Sequence, residues 1–177
     1  KFSFFFLLIF GFFTLFSFSQ ITVDGLKLSP RFEVVTGGTP ITSLQTTSYG
    51  FAFINDGRML TAISKDGTKL YERGLKERSS SLLTVTSKDF FYVISANYKS
   101  LSFYNPDGVL LWQKEVDEAL TSKPITGYDG RVFVHSGKTA YCFGINGEEK
   151  WSLEIEKGIT HNIILLRLKR FHYALLH

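Results

Sequence analysis

Short apolar stretches, alternating or continuous and separated by Gly, Asn, Asp and Ser, run through most of the chain. In the clearest case the pattern predicts a strand at residues 130–134, a turn at 136–138 and a second strand at 139–143. A Gly-containing turn at Asn146-Gly147 follows, and Trp151 ends the unit. Alternation over four to eight residues between turn residues is typical of β-hairpins. The pattern therefore predicts an all-β fold.

This unit is repeated along the chain. A Gly-x-x-x-aromatic motif follows a hairpin in each copy, and its aromatic residues are 41 and 39 residues apart. The motifs begin at Gly67, Gly108 and Gly147 and end at Tyr71, Trp112 and Trp151. A period of about 40 residues with four short strands is the size of one propeller blade. We expect about three four-stranded antiparallel blades, forming an incomplete ring.

The predicted blades cover residues 31–71, 72–112 and 113–151, within a repeat region of residues 20–158. One blade cannot bury both of its faces alone, so it must stack against its neighbours. The aromatic residue of the motif is expected to fill the gap between adjacent blades. The preceding glycine is expected to supply a turn position with positive φ. The acidic segment at residues 115–120 is therefore interpreted as a loop or edge strand, despite its helical propensity.

The best copy runs from Pro124 through Asp-Gly-x-Val-Phe-Val-x-Ser-Gly to Gly147 and Trp151. This pattern resembles the PQQ-like repeat, and the resemblance extends over residues 31–151. The resemblance implies a β-propeller related to quinoprotein alcohol dehydrogenases and to outer-membrane assembly lipoproteins of the BamB type. A WD40-like blade and a hairpin-rich sandwich are the alternatives.

The first nineteen residues are almost wholly apolar between Lys1 and Ser19. A basic start, an apolar centre and small residues near the end describe a secretory signal peptide. The alternative is a membrane anchor, since the apolar stretch is near the lower limit for a span. Gln20, rather than Cys, follows the predicted cleavage site, so a lipoprotein anchor is not supported. We expect export to the periplasm, the cell envelope or the extracellular space.

Residues 159–177 are predicted to be a non-repeat tail, because no turn and proline follow Trp151 at the expected distance. The tail has three basic residues and no acid, whereas residues 20–158 have 16 of each. The net charge of +4 thus belongs to the ends of the chain, and nucleic-acid binding is not inferred. Two interpretations of the tail remain, a membrane-surface segment and a loss of the coding frame near Gly158.

No catalytic, cofactor-binding or metal-binding residue is predicted. Cys142 is the only cysteine, so an internal disulfide is excluded, and a small buried apolar side chain is expected. His135 is interpreted as a solvated strand residue that alternates outward from Phe133. The acids lie in turns, where Asp most often caps its own backbone.

Two functions are compatible with these residues. The first is a non-catalytic, exported propeller that binds or scaffolds a protein partner through loops or a sheet edge, as the resemblance to BamB-like proteins implies. Membrane association at the cell envelope is compatible with it. The second is a fragment of a quinoprotein oxidoreductase. That resemblance implies a quinone, calcium, a catalytic Asp and a vicinal Cys pair, whereas this chain has one cysteine.

Overall fold

The structure is a computed structural model that describes residues 21–23, 26–28, 40–159, 164–168 and 171–175. All regular structure in these residues is β-strand, so the predicted fold class is confirmed. The chain divides into two compact units, Lys1–Glu33 and Val34–His177. Within the described residues, no helix has the length and apolar character needed to cross a membrane. The predicted signal peptide, residues 1–19, lies outside them.

The strands are numbered in chain order. They are β1 Ile21–Val23, β2 Leu26–Leu28, β3 Ile41–Thr46, β4 Gly50–Asn55, β5 Met59–Ser64, β6 Lys69–Gly74, β7 Ser79–Val85, β8 Phe91–Ser95, β9 Ser100–Tyr104, β10 Leu110–Glu115, β11 Ile125–Thr126, β12 Val132–His135, β13 Thr139–Phe143, β14 Glu149–Glu154, β15 Ile164–Leu168 and β16 Phe171–Leu175. Strands β1 and β2 form an antiparallel pair in the first unit.

Three four-stranded antiparallel sheets, in the orders β3-β4-β5-β6, β7-β8-β9-β10 and β11-β12-β13-β14, are the first, second and third blades. Within each blade, every strand pairs with the next strand in sequence, which is the up-and-down order that short hairpin turns allow. The first strands of the first two blades, β3 and β7, contact each other. The fourth strand of each blade is its most exposed strand.

The two larger hydrophobic clusters lie between blades rather than within one sheet. One cluster joins the first and second blades through Ile54, Leu83 and Val93. A second cluster joins the second and third blades through Phe103 and Val134. Middle strands such as β8 are buried on both faces, which explains their continuous apolar sequence.

The prediction for His135 is wrong, because its side chain is only 3% exposed. It ends β12 at the position that the first two blades fill with Ile54 and Ile94, both fully buried. Blade stacking covers both faces of a middle strand, so alternation along β12 does not lead to solvent. Cys142 is fully buried, as predicted.

The chain leaves each blade in the same way. Two backbone N–H groups bond to carbonyls in the turn between the second and third strands. One belongs to the residue after the fourth strand, and the other to the residue four positions later. The first of these bonds are Leu75 to Arg58, Val116 to Lys99 and Ile155 to Lys138, and the second are Ser79 to Gly57, Leu120 to Tyr98 and Ile159 to Gly137. Residues 116–120 therefore belong to a connection rather than a helix, as predicted.

The segment predicted as a non-repeat tail contains a β-hairpin. Strands β15 and β16 pair in antiparallel register, with Leu166 opposite Tyr173. They begin 39 residues after β11 and 39 residues after β12, respectively. The two strands thus stand, along the sequence, where the first two strands of a further blade would stand.

Candidate binding crevice between the second and third blades

The predicted repeat positions converge at the junctions between blades. Gly67, Gly108 and Gly147 all have positive φ, in the turn before the fourth strand. The aromatic residue of one blade then packs against the glycine of the next. A Cβ atom on Gly147 would lie 2.8 Å from the ring of Trp112, and one on Gly108 would lie 3.0 Å from that of Tyr71. The absence of a side chain at these glycines makes room for the ring.

A β-bulge directs each aromatic ring into its junction. Between the third and fourth strands the register skips one residue immediately before the aromatic residue. The skipped residues are Leu70, Leu111 and Lys150. A bulge twists the strand locally and turns the following side chain, here the aromatic one, to a new direction.

The remaining two predicted positions lie in the third blade. Pro124 is buried, and its carbonyl oxygen accepts a hydrogen bond from the Thr84 hydroxyl of the second blade at 2.6 Å. Trp151 is half-buried beside Phe133, with ring centroids 6.0 Å apart, in a small cluster with Cys142.

Equivalent loops connect the first and second strands at one end of each blade. In all three loops a backbone N–H bonds to the carbonyl three residues earlier: Gly50 to Thr47, Asp89 to Thr86 and Gly130 to Gly127. The second and third loops also close alike, because the N–H of Thr86 bonds to the carbonyl of Phe90 and that of Gly127 to the carbonyl of Arg131, so Asp89 aligns with Gly130. The first loop is one residue shorter, since the N–H of Thr47 bonds to the carbonyl of Gly50, and it has no counterpart of Asp89. Ser48 and Ser87 correspond, because each directly follows the residue whose N–H closes its loop.

A clasp of Ser48 and Asp89 closes the first junction at this end. The backbone N–H of Ser48 donates to Asp89 Oδ1 at 2.8 Å, and its hydroxyl donates to Oδ2. Asp89 has φ of 61°, a conformation that a residue other than glycine adopts at a cost of about 1–3 kcal/mol. A carboxylate held by two donors offsets that cost.

The second junction has no such clasp, because Gly130 stands where Asp89 stands at the first. Ser87, the counterpart of Ser48, makes no hydrogen bond to any described residue. A crevice of about 460 Å³ opens here, lined by the two loops, by residues of the second blade and by Ile145. Pockets of 300–1,000 Å³ are the usual size for ligand binding.

Aromatic side chains form the apolar part of the crevice. Phe90 stacks on Phe103 at 5.2 Å and Tyr92 stacks on Phe103 at 4.4 Å between ring centroids. All three rings line the crevice. Burial raises the pKa of the Tyr92 phenol well above its ordinary value. On the third-blade side, the carbonyl of Ile145 accepts a hydrogen bond from the Trp112 indole at 2.8 Å, which fixes that wall to the second blade.

Polar side chains surround the three aromatic rings, which form the floor of the crevice. Lys88 is exposed at the rim and makes no ion pair with any described residue. Asp129 is bound by Arg131, whose Nε donates to Oδ2 at 2.6 Å. That hydrogen bond lowers the pKa of Asp129 and raises that of Arg131, so the pair stays charged. Tyr128 is 80% exposed at the same rim.

The arrangement is suited to binding, since it combines an aromatic floor, a cation and the exposed hydroxyl group of Ser87. In the described part of the chain, no three His, Cys, Asp or Glu side chains are grouped to hold a metal ion. Burial also raises the pKa of the Cys142 thiol, which keeps it protonated.

Sequence reasoning missed the clasp and the crevice. The available signal was small: Asp89 stands where the third copy has Gly130, and the first copy has a loop that is one residue shorter.

Three stacked four-stranded blades define a β-propeller, and comparisons with known proteins agree with that class. No family model and no curated protein matches the chain. Solved propeller structures do match. BamB from Moraxella catarrhalis aligns with a TM-score of 0.58 at 15% identity, over 77% of this chain and 44% of that one.

Two further structures resemble the chain to a similar degree. BBS1N in complex with ARL6DN has a TM-score of 0.60 at 11% identity, over 85% of this chain and 51% of that one. Virginiamycin B lyase from Staphylococcus aureus has a TM-score of 0.54 at 16% identity, over 67% and 42%. The chain thus spans about half the length of these structures, or less. At such low identity the likeness is one of fold.

Proposed function

We propose that this protein is an exported, non-catalytic β-propeller that binds a protein partner in the cell envelope and acts there as a binding or scaffolding module. The observation that carries the proposal is the crevice between the second and third blades. Its rim presents Tyr128, which is 80% exposed, beside Ile145, which is 51% exposed. A large exposed aromatic residue next to a preformed pocket is the usual composition of a protein-binding surface.

Two further facts support a binding role. Loops at one end of a rigid scaffold commonly carry function, and both crevice loops are held by stacked blades. In addition, one solved propeller that resembles the chain, BBS1N, was crystallised with a protein, ARL6DN. Export is expected from the predicted signal peptide at residues 1–19, and cell fractionation with N-terminal sequencing tests it.

Site-specific photo-crosslinking in the native host tests the binding role. A photoreactive amino acid at Tyr128 is expected to give one discrete adduct, identified by mass spectrometry. The matched control is Tyr98, which is 40% exposed in a turn at the opposite end of the second blade. Absence of an adduct at position 128, or the same adduct at both positions, would contradict the proposal.

A further inference from the structure

The geometry points to a more specific property of the crevice: it binds the carboxylate of an Asp or Glu side chain that lies beside an apolar residue in a partner protein. The carboxylate is received by the backbone N–H and the hydroxyl of Ser87. This inference rests on the proposed function, because it names the chemistry of the partner at the same site.

The first junction supplies the template. There the protein holds a carboxylate of its own, Asp89, on the N–H and hydroxyl of Ser48. Ser87 lies 39 residues after Ser48, and each directly follows the threonine whose N–H closes its loop, although the second loop is one residue longer. Gly130 has φ of 82° and Asp89 has φ of 61°, so the two facing residues share the left-handed backbone conformation. The second junction therefore has a serine at the matching place in one loop and a left-handed residue in the other, but Gly130 supplies no carboxylate.

The donors that would receive a carboxylate are available. Ser87 is exposed, as Ser48 is, and it makes no hydrogen bond to any residue in the described part of the chain. Lys88 adds a positive charge at the next position, where the first loop has Tyr49. Backbone N–H groups and ammonium groups bind carboxylates through charge-assisted hydrogen bonds, which are stronger than neutral ones. The nearby acid, Asp129, is already bound to Arg131.

The floor of the crevice defines what stands next to the carboxylate. Phe90, Tyr92 and Phe103 line it with stacked rings, and Ile145 forms part of the wall. A volume of about 460 Å³ accommodates one large apolar side chain together with an acidic one. An acidic residue beside an aromatic one in an extended segment satisfies both parts of the crevice.

Peptide binding to the full chain is the direct test. The probes are a blocked Gly-Asp-Phe-Gly peptide and its Gly-Asn-Phe-Gly counterpart, which differs only in the charge and one acceptor oxygen. Chemical-shift titration and Trp112 fluorescence report binding, since the Trp112 indole is bonded to the crevice wall. We expect the Asp peptide to bind roughly tenfold more tightly than the Asn peptide. Equal affinities would overturn the inference.

Two substitutions locate the carboxylate. Ser87→Ala removes one donor from an exposed residue. It is expected to weaken binding of the Asp peptide roughly tenfold and to leave binding of the Asn peptide nearly unchanged. Gly130→Asp supplies an internal carboxylate and is expected to abolish binding. A Cβ atom there would lie 3.3 Å from Ile145 Cδ1, the end of a flexible side chain that can move aside. The φ of 82° strains any residue other than glycine, as it does Asp89 in the second loop, so the folded state of this variant has to be verified.

The matched control for Gly130→Asp is Gly137→Asp, in a turn at the other end of the third blade where a Cβ atom meets nothing within 4 Å. It is expected to leave peptide binding unchanged, and thermal unfolding verifies that both variants are folded. Retained peptide binding in Gly130→Asp would place the carboxylate elsewhere and overturn the inference. An adduct at position 128 together with equal affinities for the two peptides would leave the proposed function intact and refute only the inference that the crevice binds a carboxylate.

Discussion

At the scale of single residues, the described part of the chain buries three polar side-chain atoms without a hydrogen-bond partner: Asn55 Oδ1, Ser79 Oγ and His135 Nε2. An unpaired buried polar atom costs about 1–3 kcal/mol. His135 is the most informative of them. Its Nδ1 lies 2.6 Å from the carbonyl oxygen of Ser136, and because a carbonyl only accepts, Nδ1 carries the proton. Nε2 is then a buried acceptor without a donor.

Replacing this histidine by the residue of the other blades should stabilise the protein. We expect His135→Ile to raise the free energy of unfolding by about 1 kcal/mol, because removal of the unpaired nitrogen outweighs loss of the Nδ1 contacts with Ser136 and Thr121. For a chain of this size that is about 2–4 °C in melting temperature. Calorimetry measures it. The reverse change, Ile94→His, should lower the melting temperature of the protein. A lower melting temperature for His135→Ile would contradict the prediction, because it would mean that the histidine stabilises the fold.

Two substitutions at Asp89 separate the effect of the Ser48–Asp89 clasp on stability from the effect of the backbone strain that it offsets. Asp89→Gly removes the clasp and relieves the strain of φ 61°, whereas Asp89→Ala removes the clasp and retains the strain. Urea denaturation should therefore find Asp89→Ala less stable than Asp89→Gly by about 1 kcal/mol. Equal stabilities would mean that the loop changes its conformation when the carboxylate is lost.

At the scale of elements, three features form the junction between blades: a β-bulge, an aromatic ring and a glycine. The bulge before Trp112 turns the ring toward the third blade, where Gly147 leaves room for it. The same parts recur at Tyr71 and Gly108. Each blade thus ends in the side chain that its successor is shaped to accept, which explains why glycine and aromatic residue recur together.

Gly147→Ala tests the contact between the aromatic ring and the glycine. The substitution places a methyl group 2.8 Å from the Trp112 ring at a φ of 79°. Overlap and backbone strain together should cost about 2–4 kcal/mol. Gly137→Ala is the matched control, because a methyl group there meets nothing within 4 Å, and it should stay within about 0.5 kcal/mol of wild type. Equal effects of the two substitutions on urea denaturation would refute the ring-on-glycine contact.

The sequence was informative about this junction because its parts are local. Alternation indicated strands, and the Gly-x-x-x-aromatic spacing identified Gly147 and Trp112 as repeat positions. The clasp and the crevice depend instead on how loops of different blades face each other. Neither Ser48 nor Ser87 shows in the sequence which residue lies opposite. His135 was misread for a related reason, since its burial results from stacking and not from alternation along one strand.

At the scale of the whole molecule, stacking of blades removes five tyrosines of the described repeat region wholly or partly from solvent. Burial is the main cause that raises the pKa of Tyr49, Tyr71, Tyr92, Tyr104 and Tyr141. For Tyr71 the hydrogen bond with Tyr49 adds to the effect. These phenols are spread over all three blades, so their ionisation is a property of the fold and not of one site.

This burial predicts cooperative unfolding in alkali. In the unfolded chain a phenol ionises near its ordinary pKa of 10.0, whereas the folded protein keeps these five protonated to higher pH. The unfolded state therefore loses protons first. Stability is fully present below about pH 9 and falls as the pH rises above about 10, by about 1.4 kcal/mol per pH unit for each phenol that is still protonated in the folded state. Circular dichroism and absorbance at ~295 nm should change together in one transition.

Tyr92→Phe is the variant that tests the linkage, because burial alone raises the pKa of Tyr92. With one linked proton fewer, its alkaline transition should lie at higher pH than that of the wild type and be less steep. Stepwise ionisation of the tyrosines with an unchanged circular dichroism spectrum would mean that the phenols reach solvent without unfolding. The blades would then separate individually, and stacking between them would not be what holds the repeat region together.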